Sequence, residues 1–112
     1  MSGQDLYIEL QNKMAMLDKA VTTLARNGQK LALAEQAYRM ALAEKILIER
    51  DKGLPVTIIG DVCRGDKSIA KLKFERDTAQ AVYDANTEAI NVWKVHVRIL
   101  EAQIAREWGR KD

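Results

Sequence analysis

Residues 69–107 read IAKLKFERDTAQAVYDANTEAINVWKVHVRILEAQIARE. Along this stretch, residues recur at alternating steps of three and four: Ile69, Leu72, Arg76, Ala79, Tyr83, Asn86, Ile90, Trp93, Val97, Leu100, Ile104 and Glu107. A heptad repeat sustained over this length is the pattern that lets one helix lie along another. The stretch therefore predicts a long helix over about 66–109, with a mostly apolar seam facing a second helix.

A second heptad pattern lies nearer the N-terminus. Apolar residues recur there every seven positions, at Leu10, Leu17, Leu24, Leu31 and Tyr38. The same seam is expected to take in Met14, Val21 and Leu42. Because the register passes through Asn27-Gly28 unbroken, it predicts one helix over about 4–52, in which Gly28 lets a neighbouring ring or backbone approach. The alternative is a three-helix arrangement broken at Gly28.

The segment 53–66 forms a predicted elbow between the two long helices. Gly53 suits a left-handed helix cap, Pro55 suits the first turn of a new helix, and Asp66 suits the N-cap of the last one. A short helix between these caps is therefore expected. The alternative makes Val56–Ile59 a strand, because β-branched residues favour that conformation.

Two long helices of similar length, joined by a short elbow, predict an all-α antiparallel helical hairpin, coiled-coil-like, in a single domain over 1–112. Further apolar residues lie outside the seams, among them Leu33, Met40, Ile46, Leu47, Val92, Val95 and Ile99. Helices that are apolar on more than one side are buried on more than one side. We therefore expect a homo-oligomer, a dimer or higher, forming a helical bundle.

Composition narrows the class of protein. The chain has 112 residues, 18 basic against 16 acidic, with a net charge of +2 and one cysteine, Cys63. The charge is far from the basic excess of dedicated nucleic-acid binders, and no apolar run approaches the ~20 residues that span a membrane. With no apparent export signal and no disulfide partner for Cys63, we expect a cytoplasmic protein.

The residues that commonly carry catalysis or metals are sparse. His96 is the only histidine, flanked by Val95 and Val97, so a partly buried structural histidine is favoured over a ligand or base. Glu88 lies on the same helical face without a Glu-x-x-His pair. Cys63 stands beside Arg64, which favours thiolate formation, but no histidine is near in sequence. The expectation is a protein that is not an enzyme and carries no cofactor or metal.

A few cations and rings are the candidate ligand-binding residues. Arg64, Lys67 and the N-terminus of the last helix are suited to an anion, although capping and solvated charge are the favoured explanation. Trp108 stands between Arg106 and Arg110, where a ring can stack a base or cover the end of a bundle. The predicted ligand-binding set is Arg64, Lys67, Tyr83, Arg98, Arg106 and Trp108.

Two polar residues interrupt the apolar seam. Arg76 and Asn86 take seam positions, where buried polar side chains commonly determine register and oligomeric state. The alternative is a polar gap between helices, lined by Arg76, Asn86 and Asn91, that binds a small molecule.

Five stretches carry a resemblance to known proteins: Gly53-Leu54-Pro55-Val56-Thr57-Ile58-Ile59-Gly60-Asp61, Arg64-Gly65-Asp66, Glu88-Ala89-Ile90-Asn91, Ile99-Leu100-Glu101-Ala102-Gln103-Ile104 and Arg106-Glu107-Trp108. In these stretches the chain resembles a group of small helical proteins of phages and prophages of Gram-positive bacteria, a group without an established activity. The resemblance implies a phage origin and assigns no catalytic residues.

A small phage protein without catalytic residues suggests a binding protein. The first hypothesis is an anti-defence sponge that sequesters a nucleotide immune signal of the host, in the host cytoplasm, within a pocket between protomers. The second is an accessory of phage recombination or replication that binds DNA or a DNA-processing protein. The third is a protein-binding inhibitor of a host factor.

Overall fold

A computed structural model describes residues 2–109 of the chain. Its helices are α1 (Gly3–Asp51), α2 (Val56–Arg64) and α3 (Lys67–Gly109), and the described residues contain no strand. The expected long helices, about 4–52 and 66–109, lie within about one residue of these bounds. The all-α fold with two long helices and a short one between them is confirmed, and the strand alternative for Val56–Ile59 is wrong. Assembly into a homo-oligomeric bundle stays a prediction.

Helix α1 is continuous through Gly28, so the alternative of a break at that glycine is wrong. The helix begins with a capping box. The Asp5 backbone N–H donates to the Ser2 hydroxyl oxygen (3.1 Å), and the Ser2 backbone nitrogen lies 3.3 Å from the Asp5 carboxylate. Each side chain thus satisfies a backbone donor that the helix leaves without a partner.

Helix α1 ends at a left-handed glycine. Gly53 has φ +91°, its N–H donates to the Arg50 carbonyl (2.9 Å), and the Leu54 N–H donates to the Glu49 carbonyl (3.1 Å). These two bonds form a Schellman motif, in which glycine is favoured because a Cβ strains this backbone conformation. The predicted left-handed cap is confirmed. Pro55 directly precedes α2, whereas the sequence pattern placed it inside the first turn.

The start of α3 is capped by Asp66, as expected. Its carboxylate accepts hydrogen bonds from the backbone N–H groups of Ser68 (3.0 Å) and Ile69 (3.3 Å). Hydrogen bonds to the Asp66 carboxylate lower its pKa. The Ser68 side chain has the largest effect, and the Ile69 backbone N–H has the next largest. The cap therefore fixes the point at which the chain enters α3.

The chain divides into two compact units. The elbow unit is Asn27–Tyr83, and the terminal unit is Met1–Arg26 with Asp84–Asp112, described over 2–26 and 84–109. Each unit pairs part of α1 with part of α3. The prediction of one domain over 1–112 stays a prediction.

The two helices run antiparallel within each unit. In the elbow unit, Glu35 contacts Arg76, and further along α1, Lys45 reaches Asp66 at the start of α3. In the terminal unit, Lys13 lies over the Trp93 ring. Further along α1 in the same unit, the Ala20 carbonyl accepts a hydrogen bond from Asn86. Later residues of α1 therefore meet earlier residues of α3 in both units.

The predicted seam of α3 is confirmed. All twelve of its positions are buried or half-buried, and Ile69, Ile90 and Leu100 are the most deeply buried. Their spacing keeps one face of α3 against α1 in each unit. The apolar seam is therefore the common element of both units.

The seam of α1 was predicted only in part. The heptad series from Leu10 to Leu31 is half-buried and Tyr38 is buried, but Met14 and Val21 are 45% and 50% exposed. Other half-buried residues of this face lie three residues after each leucine, not four, and they include Lys13 and Ala20. The sequence prediction chose Met14 and Val21 because they are more hydrophobic. Closely packed helices, however, accommodate a small side chain such as that of Ala20, or the methylene stem of Lys13, at the contact.

Candidate functional site

A shallow depression in the terminal unit is the candidate binding site. It is open to solvent, has a volume of about 510 Å³, and is lined by Leu17 from α1 and by Asn91, Lys94, Val97 and Arg98 from α3. Asn91, Lys94 and Arg98 follow one another at steps of three and four, so they project from one face of the helix. We call these five residues the α3 depression.

Two cations, Lys94 and Arg98, lie one helical turn apart in the α3 depression. Lys94 and Arg98 are both exposed, and neither makes an ion pair with another residue of 2–109. Like charges four residues apart on a helix destabilise it by about 0.2–0.5 kcal/mol. An anion placed between the two cations removes this repulsion and gains charge-assisted hydrogen bonds.

The remaining walls are amide and apolar. Asn91 is exposed and offers both a donor and an acceptor, while Leu17 and Val97 are half-buried seam residues. Two cations, one amide and an apolar floor suit a ligand with an anionic group and a flat apolar body. This combination occurs in nucleotides.

The sequence-predicted residues Arg98 and Asn91 lie in the α3 depression. Arg106 and Trp108 also lie in the terminal unit, both exposed, with Trp108 58% accessible. Arg106 follows Arg98 by eight residues, which is about 12 Å along the helix. Arg110 lies outside the described residues.

The predicted residues of the elbow unit fall into two places. Arg64 lies 3.6 Å from Asp61 in an i,i+3 ion pair, and Lys67 is the exposed first residue of α3. Tyr83 follows Lys67 by sixteen residues, about 24 Å along α3. A small ligand held by the first two residues in one copy of the chain therefore does not reach Tyr83.

Tyr83 has a packing function in the elbow unit. Its ring carbon Cε2 lies 3.3 Å from the position that a Cβ on Gly28 would occupy. The expected close approach of a ring at Gly28 is confirmed. Tyr83 also borders an open depression shared with Glu35 and Arg76.

Arg76 is committed to contacts with α1. Its Nη1 donates to Glu35 Oε2 (2.9 Å), and its guanidinium carbon lies 5.2 Å from the centroid of the Tyr38 ring. Its buried Nε is 2.9 Å from Asp77 Oδ1, an ion pair without hydrogen-bond geometry. Hydrogen bonds from Arg39 and then from Arg76 lower the pKa of Glu35.

Asn86 is likewise committed to α1, because its Nδ2 donates to the Ala20 carbonyl (3.0 Å). A one-turn slip of α3 would break this bond and leave a half-buried amide without its acceptor. These contacts favour the register-determining function for Arg76 and Asn86 over the ligand-lined gap.

The other chemically interesting residues have ordinary surroundings. Cys63 is fully buried, so its thiol does not meet solvent. His96 is exposed, not partly buried as expected, and its ring packs edge-on against Trp93 with centroids 5.4 Å apart. Within residues 2–109, no three His, Cys, Asp or Glu side chains cluster as metal ligands would.

Sequence reasoning missed Lys94, Leu17 and Val97 as parts of a binding site. A signal for Lys94 was present, since no acidic residue stands three or four positions from it while Arg98 stands at four. Leu17 and Val97 follow the seam pattern, so nothing in the sequence distinguished them from core residues.

Comparisons with known proteins identify no relative of this chain. No protein-family model, curated protein or solved structure matches this chain. Within residues 2–109, neither long helix has a segment that is apolar enough to cross a membrane.

Proposed function

We propose that this chain is a non-enzymatic, phage-encoded binding protein that sequesters a nucleotide-like anion, an immune signal of the host, in the host cytoplasm. The observation that supports this function best is the α3 depression, where Lys94 and Arg98 lack acidic partners beside an apolar floor. The phage origin rests on the resemblance carried by the five sequence stretches.

The chemistry of the depression matches the parts of a nucleotide. The Arg98 guanidinium presents a planar pair of donors to a phosphate, and Lys94 adds a second positive charge. Leu17 and Val97 offer apolar surface to a base, and Asn91 offers hydrogen bonds to its edge. The depression is open in one copy, so a second protomer is expected to cover the ligand.

Exposed apolar surface supports a homo-oligomer. Residues outside the seams remain largely accessible, including Leu33 (57%), Met40 (64%) and Ile99 (51%). Burial of such surface against a second copy stabilises both.

Thermal denaturation with a panel of cyclic and ADP-ribose-derived nucleotides tests the proposed function. A ligand present at 100 times its dissociation constant adds about 2.7 kcal/mol to the stability of the folded state. We expect at least one nucleotide to raise the melting temperature of the wild-type protein. Arg98→Gln and Lys94→Gln should each weaken binding at least about tenfold, since each removes a charge-assisted bond.

Lys71→Gln is the matched control, because Lys71 is an exposed cation of the same helix within the elbow unit. It should bind the nucleotide as the wild type does. The absence of a shift with every nucleotide would contradict the proposed ligand class. Equal weakening by all three substitutions would contradict the α3 depression as its site.

Protein-binding inhibition is the second candidate function. Helix α2 buries Ile59 and Cys63 but exposes Val56 (72%) and Val62 (46%), which is apolar surface suited to a protein partner. This function predicts that a host protein binds the wild type and not the Val56→Ser, Val62→Ser variant. The net charge of +2 makes DNA binding the less favoured function. DNA binding would predict that the affinity for oligonucleotides falls steeply as the salt concentration rises.

A further inference from the structure

A groove in the elbow unit has an exposed aromatic ring at its edge. It encloses about 320 Å³ and is lined by Asn27, Lys30, Phe74, Glu75, Thr78, Ala79 and Val82. Phe74 is 70% exposed, the highest accessibility among the large apolar residues of α3, and Val82 is 48% exposed. We call these lining residues the Phe74 groove. A phenylalanine held this far out of the core gains stability when a partner covers it.

Two pairs of the lining residues are placed symmetrically about Thr78 along the helix axis. Phe74 and Val82 lie four residues to either side of it on α3. Gly28 lies beside Tyr83, and Glu35 lies beside Arg76. Because the helices are antiparallel, a residue of α1 two positions after Gly28 is level with a residue of α3 two positions before Tyr83, so Lys30 is about level with residue 81. Glu75 and Lys30 therefore lie about 4.5 Å along the helix axis to either side of Thr78.

The two ends of the groove carry opposite charges, Lys30 at one end and Glu75 at the other. Lys30 and Glu75 make no ion pair with another residue of 2–109. A two-fold axis through Thr78, perpendicular to the helices, exchanges the two ends. It brings Lys30 of one copy to the level of the partner's Glu75, and Phe74 to the level of the partner's Val82. Along the helix axis, the surface is thus complementary to itself, which an isologous dimer requires.

We infer that the Phe74 groove binds a second copy of this chain in antiparallel orientation about a two-fold axis at Thr78. The Phe74 ring of each copy packs against the partner's Val82, and two Lys30–Glu75 ion pairs close the ends. The inference rests on the proposed homo-oligomer and names the surface that forms it. It does not require nucleotide binding, because the α3 depression belongs to the terminal unit.

Charge reversal tests the symmetry directly. Lys30→Glu places two carboxylates at each end of the interface, and Glu75→Lys places two cations there. Like charges across an interface are repulsive, so each variant alone should dissociate at least about tenfold more readily than the wild type. Sedimentation equilibrium at low micromolar concentration measures this, and circular dichroism verifies that the variants stay helical.

Mixing the two single variants gives the decisive result. A Lys30→Glu chain paired with a Glu75→Lys chain has opposite charges at both ends, so the mixture should form a heterodimer more tightly than either variant self-associates. The double variant Lys30→Glu, Glu75→Lys should again self-associate. A charge contact within one chain cannot be restored by mixing, so this rescue is specific to the proposed interface.

Phe74→Ala supplies an independent variant and should weaken self-association by tenfold or more. Lys19→Glu, which reverses an exposed charge in the terminal unit, is the control and should sediment as the wild type. If the wild type self-associates and the groove variants do so equally well, or if mixing restores nothing, the inferred interface is overturned while the homo-oligomer stands. A wild type that sediments as a 12.6 kDa monomer overturns both.

Discussion

The elbow unit and the terminal unit use the same heptad seam but different polar contacts between α1 and α3. In the elbow unit, charged pairs join the helices, Arg76 with Glu35 and Lys45 with Asp66. In the terminal unit, Asn86 donates to a backbone carbonyl and Lys13 lies 5.5 Å from the centroid of the Trp93 ring. An apolar seam thus sets the pairing of two helices, while its polar members decide how that pairing responds to conditions.

The elbow unit holds carboxyl groups whose pKa is lowered, both in contacts between the helices and in pairs within one helix. Hydrogen bonds from Arg39 and Arg76 lower the pKa of Glu35, and hydrogen bonds from Lys45 and Lys73 lower the pKa of Glu49 and Asp77 respectively. All three carboxyl groups lie in the elbow unit. An amide bonded to a carbonyl has no titration in the acid range. The elbow unit should therefore be the pH-sensitive part of the fold.

The largest effect is expected from the seam that the units share. Ile69 of the elbow unit is 3% exposed and Ile90 of the terminal unit is 7% exposed. Replacing either by alanine should lower the free energy of unfolding by about 2–4 kcal/mol, because each leaves a cavity against α1. Urea denaturation at one fixed protein concentration measures the loss. Val95→Ala, an exposed position, is the control. A loss below about 1 kcal/mol in either unit would show that the seam does not support both.

A smaller effect is expected from acid. A carboxyl whose pKa is lower in the folded than in the unfolded state stabilises the fold above its ordinary pKa, near about 4. That contribution is lost as the pH falls through the folded-state pKa. Between pH 6 and pH 3, amide hydrogen exchange, corrected for its intrinsic pH dependence, should accelerate several-fold more in residues 27–83 than in 2–26 and 84–109.

Glu35→Gln sharpens this acid test. The amide cannot titrate, so the elbow unit of this variant should be less protected than the wild type at pH 6 and should lose less additional protection at pH 3. Equal acceleration in both units of the wild type would contradict the assignment of the pH response to the elbow unit.

The smallest effect is expected at Gly28. Alanine is favoured over glycine in a helix by about 1 kcal/mol, but a Cβ here meets Tyr83 Cε2 at 3.3 Å. Gly28→Ala alone should therefore change the stability by less than about 1 kcal/mol. The same substitution in a Tyr83→Ala background should stabilise by about 1 kcal/mol, since the contact is gone. Equal effects in the two backgrounds, in a double-mutant cycle, would remove Tyr83 as the reason for glycine at this position.

The candidate site could be predicted only in fragments. Arg98 belongs to the predicted ligand-binding set, whereas Asn91 was predicted only as part of the alternative polar gap with Arg76 and Asn86. That Arg98 and Asn91 share a depression with Lys94 and a leucine of α1 depends on which face α1 presents beside them. Tyr83 was expected near a ligand because aromatic rings stack bases, but its ring covers Gly28.

The sequence by itself determined the helices, their ends and the seam of α3, because caps and heptad periodicity act through neighbours within a few residues along the chain. It indicated that Gly28 permits a close approach, but left open whether a ring or backbone lies there or the helix breaks. The tertiary structure alone decided that Ala20 and Lys13, rather than Val21 and Met14, face α3, and that Glu35 pairs with Arg76. These choices depend on the distance and rotation of two helices that meet far apart in sequence, and local periodicity leaves both undetermined.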